Sequence, residues 1–294
     1  MGPKLRRTDP KRMLSRLRAR KGRARPQATT RCSTFSGTAD VKSDRFAEMA
    51  GRPEMTVQAN GTKTSKLFAI ADTHLSFSTD KPMGVFGDAW KRHAERLAAA
   101  WREEVLEGDV VIVAGDISWA LKPEESIPDL DFLHGLPGNK LLVRGNHDFW
   151  WQSVTRLNEL YDDMRFLQND HVMFGEGLAI CGSRGWGLPG LEDYGEDDEK
   201  ILARELIRLE LSLADAVKAG AGDIICVLHF PPALTPDNAS PFTEVMERYP
   251  VSQALYGHLH GPQAFGKGIQ GEHRGIRYSL VSSDFLGFRP VRVA

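Results

Sequence analysis

The chain has 294 residues, of which 41% are hydrophobic and 26% charged. Those values belong to a globular protein and exclude general disorder, and the length suffices for one large domain or two small ones. Uninterrupted apolar stretches reach only about five residues, as in Val110–Ala114, against the roughly 20 that a bilayer span needs, so a membrane-spanning protein is excluded.

The net charge of -1 conceals an asymmetry. Residues 1–54 hold 15 Lys and Arg against 5 Asp and Glu, whereas 55–294 hold 23 against 34. An arm with this composition and no apolar period cannot bury a face, so residues 1–62 are expected to be a basic, disordered extension. Three readings of the arm stay open: an organelle transit peptide, a start of translation at Met55, or a tether for nucleic acid. It lacks the apolar core of a secretory signal. Three cysteines (Cys32, Cys181, Cys226) with no close spacing argue against a disulfide framework or a thiolate zinc site. The expected location is cytoplasmic.

From Lys66 onward short apolar runs alternate with helical patterns. Leu67–Ala71 reads as a buried strand. Asp88–Glu107 reads as a helix, with Trp90, Ala94, Leu97, Ala98, Trp101 and Val105 on one face, Asp88 as its cap and Gly108 as its stop. Val110–Ala114, Leu141–Val143 and Leu178–Cys181 read as strands. The segment Ser183–Lys200, with Trp186 and an acidic run from Glu192 to Glu199, reads as a solvated loop before a helix, or as a lid. The helix is Glu199–Lys218, with a stripe at Leu202, Leu206, Leu209, Leu213 and Val217. Ile224–Leu228, Ala254–Tyr256 and Tyr278–Val281 complete the strands. The alternation indicates an α/β protein.

Five strand ends run into polar clusters. They are Asp72-Thr73-His74, Gly115-Asp116, Arg144-Gly145-Asn146-His147-Asp148, His229 and Gly257-His258-Leu259-His260. In open α/β sheets ligands sit beyond the carboxyl ends of strands, so clusters delivered there can converge. Taken singly each has an ordinary reading: a turn, or a hydrogen-bonded histidine. The ordered set is what is specific. His93, His134, His171 and His273 lie outside the clusters and read as structural or surface residues. Leaving out His147 and Asp148, the set offers Asp72, Asp116, Asn146, His74, His229, His258 and His260. Seven donors exceed one tetrahedral site and suit two metals if one donor bridges. A mixed imidazole and carboxylate set suits Zn, Mn or Fe rather than Ca or Mg.

In this order the motifs resemble the calcineurin-like metallophosphoesterase superfamily, over about Lys66 to the end. Within it the chain is similar to a branch of uncharacterised prokaryotic phosphohydrolases. That likeness rests on Gly115-Asp116-Ile117-Ser118-Trp119-Ala120, Gly145-Asn146-His147-Asp148-Phe149-Trp150-Trp151 and Leu280-Val281-Ser282-Ser283-Asp284-Phe285. The resemblance implies a metallophosphoesterase domain over 66–294, with two mixed β-sheets packed face to face and helices outside. It implies that Asp72, His74 and His260 bind one divalent transition metal, that Asn146, His229 and His258 bind the other, and that Asp116 bridges. His147 would be the catalytic histidine, with Asp148 holding its ring.

The implied activity is hydrolysis of a phosphomonoester or small phosphodiester by two-metal activation of water. Many members carry Gly-Asp-x-x-Asp-Arg, the arginine gripping phosphate; here Trp119 and Ala120 stand instead. Asp148 also replaces the glutamate usual in protein phosphatases. Both differences weigh against a phosphoprotein phosphatase. Arg144 and Arg184 are the candidate substitutes for the arginine, or else structural ion-pair partners. Trp119, Phe149, Trp150 and Trp151 read equally as base-stacking surfaces or as core. A small phosphate ester is the expected partner, and the acidic body disfavours nucleic acid except through the basic arm. A nuclease guided by that arm and a non-catalytic scaffold are the other readings.

Overall fold

The computed structural model describes residues 65–189, 194–234 and 239–294. The basic arm lies outside the described residues, and the elements all belong to the unit Pro53–Ala294. They run β1 (Leu67–Ile70), α1 (His93–Glu104), β2 (Val110–Ala114), α2 (Pro123–His134), β3 (Asn139–Val143), α3 (Val154–Leu157), β4 (Met164–Phe166), β5 (His171–Phe174), β6 (Leu178–Gly182), α4 (Glu196–Lys218), β7 (Asp223–Val227), α5 (Pro241–Met246), β8 (Val251–Tyr256), β9 (Gly271–His273), β10 (Ile276–Leu280) and β11 (Val291–Arg292).

The strands form two mixed sheets, ordered β11-β1-β2-β3-β4 and β5-β6-β7-β8-β10-β9. In the first, β1 to β4 run parallel and β11 lies antiparallel on β1. In the second, β6, β7, β8 and β10 are parallel, with β5 and β9 antiparallel at the edges. One apolar layer draws on both sheets: Leu67, Ala69, Val110, Ile112 and Leu141 from the first, and Ile180, Ile225, Val227 and Leu255 from the second. The opposite face of the first sheet (Phe68, Ile70, Val111, Val113) packs on Leu97 and Trp101 of α1 and Leu130 and Leu133 of α2. The opposite face of the second (Ala179, Ile224, Cys226, Tyr256) packs on Leu202, Leu209 and Leu213 of α4. Strands covered on both faces have no polar side to show, which is why they read as continuous apolar runs. This is the expected four-layer arrangement of sheets inside and helices outside.

The two helices read from the sequence differ in their bounds. Asp88 does not cap α1. Asp88–Trp90 is a short 3-10 turn, Arg92 then takes a left-handed φ of 53°, and the helix runs from His93 to Glu104. Val105 is already extended. The turn matters because it carries Trp90 against His74 and His260. Helix α4 starts three residues earlier than expected, at Glu196, and the Asp198 carboxylate accepts from the N–H of Gly195 at 2.8 Å. Most of the acidic run is therefore a helix first turn, where negative charge meets the positive end of the dipole; Glu192 and Asp193 lie outside the described residues. Within α4 the buried face includes Glu205, Ser212 and Ala216, while Val217, expected inside, is exposed.

Candidate metal centre

Strands β1, β2 and β3 of one sheet and β7 and β8 of the other end at the same place. The loops after β1 and β2 are laced together: Asp72 N–H donates to Gly115 O at 2.9 Å and His74 N–H to Asp116 O at 3.0 Å. The two sheets are joined here too, since Ala71 N–H donates to Val281 O at 2.7 Å and Ser283 N–H to Ala71 O at 3.0 Å. The backbone makes unusual turns to aim these side chains. Asp72, His74, Asp116 and His258 all have positive φ, at 58°, 43°, 51° and 72°. A non-glycine residue held there costs of order 1 kcal/mol or more, and such strain gathers at functional sites. Two glycines are dictated by space alone. A Cβ at Gly145 would overlap Asp116 N and Oδ1, and a Cβ at Gly257 would lie 2.5 Å from Asp72 Oδ2.

Two triads of donor atoms result: Asp72, His74 and His260, and Asp116, His229 and His258, each with its atoms within 4.8 Å of one another. In the first, His260 Nε2 lies 3.3 Å from His74 Nε2 and 3.5 Å from Asp72 Oδ1. In the second, Asn146 Oδ1 accepts from His229 Nε2 at 2.8 Å and from His258 Nδ1 at 3.0 Å. Asp116 of the second triad also faces the first, with Oδ2 3.7 Å from His74 Nε2 and 3.4 Å from His229 Nε2. Two ligands held tetrahedrally at about 2.1 Å from one metal stand about 3.4 Å apart, so these separations fit a shared ion. His74 Nδ1 is buried without a hydrogen-bond partner. The structure thus brings together all seven residues expected to bind metal, and the oxygen and imidazole donors suit a divalent transition metal.

Each ring is oriented from behind. His229 Nδ1 donates to Ala114 O at 3.0 Å, which leaves Nε2 facing the site. His260 Nδ1 donates to Asp284 Oδ1 at 3.0 Å, and Asp284 Oδ2 accepts from Gly261 N–H at 2.8 Å. In the sequence Asp284 stands out only as part of the Leu280–Phe285 tail; its partner lies 24 residues earlier, so only the fold reveals this role.

The electrostatics are those of an anion-rich cluster out of water. Burial raises the Asp116 acid, but His229, by charge and hydrogen bond, and His74 outweigh it and hold the carboxyl well below the usual range. Burial likewise opposes the charge on Asp72, yet His260 and His229 hold its acid down. Burial lowers His229, but Asp116 and Asp72 overcome it and push the ring up to about 9. Burial also lowers His260, and Asp284 and Asp72 push it up to about 10. His74 and His258 follow burial and fall to about 4 and about 3. Each triad therefore combines one carboxylate held low, one ring that burial pushes down and one ring that its carboxylate neighbours push up.

His147 stands beside the triads, with Nε2 3.9 Å from Asp116 Oδ2 and its ring 4.3 Å from that of Trp119. Burial lowers its pKa, so the ring is neutral at pH 7. Asp148 does not hold that ring. Its buried carboxylate accepts from the N–H groups of Ile117 (2.9 Å), Ser118 (3.2 Å) and Gly145 (2.7 Å) and from Trp150 Nε1 (3.1 Å). These four donors come from the loops after β2 and β3, so its work is to pin those loops together. Burial, then the charge of Asp116, push its acid up to about 6.

Arg144 and Arg184 do not line the cavity at this cluster, although Arg184 O accepts from His229 N–H at 2.9 Å. They line a small separate cavity with Glu205 and Arg208. Arg184 is ion-paired with buried Glu205 at 3.1 Å and stacks over Trp186 at 4.4 Å. That is the geometry of a structural pair. Trp150 and Trp151 are core residues, Phe149 is exposed, and Trp119 stacks on His74 at 4.8 Å.

Residues 65–262 match the calcineurin-like phosphoesterase family. The chain belongs to that family. Among solved structures it is similar to a protein of unknown function from Aquifex aeolicus, at 17% identity over 78% of this chain and 96% of that one, with a TM-score of 0.44. It is also similar to the phosphopantetheinyl hydrolase of Mycobacterium tuberculosis, at 18% identity over 78% and 96%, with a TM-score of 0.44. No curated protein matches it. No helix among the described residues is long and apolar enough to cross a membrane.

Proposed function

We propose that the protein hydrolyses a phosphomonoester or a small phosphodiester at a pair of divalent transition metal ions. The observation that carries this reading is that Asp116 Oδ2, a donor of the second triad, also lies 3.7 Å from His74 Nε2 of the first. In the proposal Asp72, His74 and His260 hold one ion, Asn146, His229 and His258 hold the other, and Asp116 touches both. When bound, the ions supply Lewis-acid neutralisation of the phosphate oxygens and activation of water.

The side chains account for the rest. Asp116 and Asp72 keep their negative charge in a dry site because two imidazolium rings face them, so they present charged donors to a cation without a proton to displace. Burial holds His74 and His258 down, so neither ring carries a charge that would oppose a cation. His147, neutral and partly open, is placed to donate an N–H to a phosphoryl or leaving-group oxygen. Asp284 and Ala114 hold His260 and His229 with the correct nitrogen inward. Mn, Fe and Zn all suit this donor set.

The test is a panel of phosphate mono- and diesters with added Mn²⁺, assayed before and after chelation. Metal-dependent release of phosphate or alcohol is the expected result. A protein that binds metal at both triads but turns over no member of the panel would remove the hydrolase reading.

A further inference from the structure

Beside the first triad opens a cavity of about 480 Å³, within the size range of small-molecule sites. It is continuous with the metal centre, because His74, His147 and His260 are part of its lining. The rest of the wall is mainly apolar: Met83, Phe86, Trp90, Trp119, Pro262 and Phe265. The two tryptophans are fixed against the candidate ligands. Trp119 stacks on His74 at 4.8 Å, and Trp90 meets His260 edge-on at 5.4 Å. Phe86, on the turn Met83–Phe86, lines the cavity while remaining 65% exposed.

The charges are as informative as the rings. Among the described residues no lysine or arginine lines the cavity, and two carboxylates do. Asp284 is engaged by His260 and Gly261, and Asp88 pairs with Lys91 in solvent at 2.6 Å. Lys81 stands over the Trp119 ring at 4.8 Å and is not part of the lining. A leaving group that carried further phosphate or carboxylate would face these two carboxylates and, among the described residues, no lysine or arginine in the wall itself. A hydrocarbon or aromatic group would bury its surface against four aromatic side chains.

Resting on the hydrolase reading above, we propose that this cavity takes the leaving alcohol, and that the substrate is the phosphate ester of an uncharged alcohol bearing an apolar or aromatic group. The hydrolysis balances with water alone. Water oxygen bonds to phosphorus, the bond from phosphorus to the alcohol oxygen breaks with its electron pair on that oxygen, and a proton from water ends there.

The experiment compares monoesters of primary alcohols, which share leaving-group chemistry and differ in side group: ethyl phosphate, 2-phenylethyl phosphate and phosphoserine, on the Mn²⁺-loaded protein. Burying a phenyl-sized group corresponds to a gain of about 10- to 100-fold in kcat/KM for 2-phenylethyl over ethyl phosphate. Phosphoserine, with its two further charges, should fall below 2-phenylethyl phosphate. In Phe86→Ala, an exposed position where the fold should survive, the ratio of phenylethyl to ethyl should drop about threefold. A ratio near one in the unaltered protein, or a preference for phosphoserine, overturns the inference and leaves the hydrolase reading intact. Should none of these monoesters be hydrolysed, the diesters of the panel decide the parent reading, and calorimetry with non-hydrolysable phosphonates decides the cavity. Binding of 2-phenylethylphosphonate at least tenfold tighter than ethylphosphonate supports it, and equal affinity overturns it.

Discussion

Gly257→Ala isolates the packing of the metal centre from its chemistry, since it adds one methyl group and removes no donor. The new Cβ would lie 2.5 Å from Asp72 Oδ2 and 2.6 Å from Ala71 Cβ. Ordinary contact begins at 3.4 Å, so one side must give by about 0.8–0.9 Å. Asp72 and Ala71 are fully buried, and Ala71 is bonded on both sides to the segment after β10. The movable element is therefore the Asp72 carboxylate, which accepts from His258 N–H at 3.0 Å. Loss of a hydrogen bond to a charged group costs about 1.5–3 kcal/mol, and overpacking adds about 1–3. The expected total is about 2.5–6 kcal/mol, against about 5–15 for a typical domain, so the variant is much weakened. At roughly 2–4 °C per kcal/mol for a domain of this size, Tm should drop by roughly 5–24 °C. Elemental analysis after dialysis should find less metal at the Asp72 triad. Gly108→Ala is the control, because nothing lies within 4 Å of its Cβ and its backbone is unstrained; it should stay within about 0.5 kcal/mol. A Gly257→Ala protein with full metal content and an unchanged Tm would refute this reasoning.

Three further outcomes are expected. His147→Ala should lower turnover by about 10²–10⁴-fold while metal content stays intact; loss of metal in that variant would instead make His147 a ligand. Asp284→Asn should weaken metal binding by about 10- to 100-fold, read by calorimetry, because His260 loses its charged support; equal affinity would make Asp284 merely structural. In the chelated protein His229 and His260 are held up at about 9 and 10, above the ordinary 6.5. Their contribution to stability is fully present below about pH 6.5 and is lost as pH rises through 9 and 10, so chelated protein should unfold more easily at pH 10 than at pH 7. Metal loading at pH 7 should release protons from the same two rings, and calorimetry in buffers of different ionisation enthalpy would show none if these rings were already neutral.

The strands were legible because burial on both faces turns them into apolar runs, and the site was legible because each run ends in a polar cluster. Helix α2 was missed: it carries Pro128 and an acidic first turn, and its buried face mixes Ser126 and Asp129 with Leu130 and Leu133, so no apolar stripe shows. The start of α1 was misplaced because Arg92 takes a left-handed conformation that its side chain does not announce. Strands β4 and β9 span only three residues each and give no period to read. The support given by Asp284 to His260 and by Asp148 to two loops depends on chain segments that meet only in the folded protein. The same holds for the cavity wall, whose Trp90 and Trp119 are 29 positions apart and converge only because both pack against His74.

The most direct measurement is anomalous diffraction from crystals of the Mn²⁺-loaded protein. Two peaks are expected about 3.5–4 Å apart, one within bonding distance of Asp72, His74 and His260, the other of Asn146, His229 and His258, and both reached by Asp116. A single peak, or a pair that Asp116 does not join, would contradict the account.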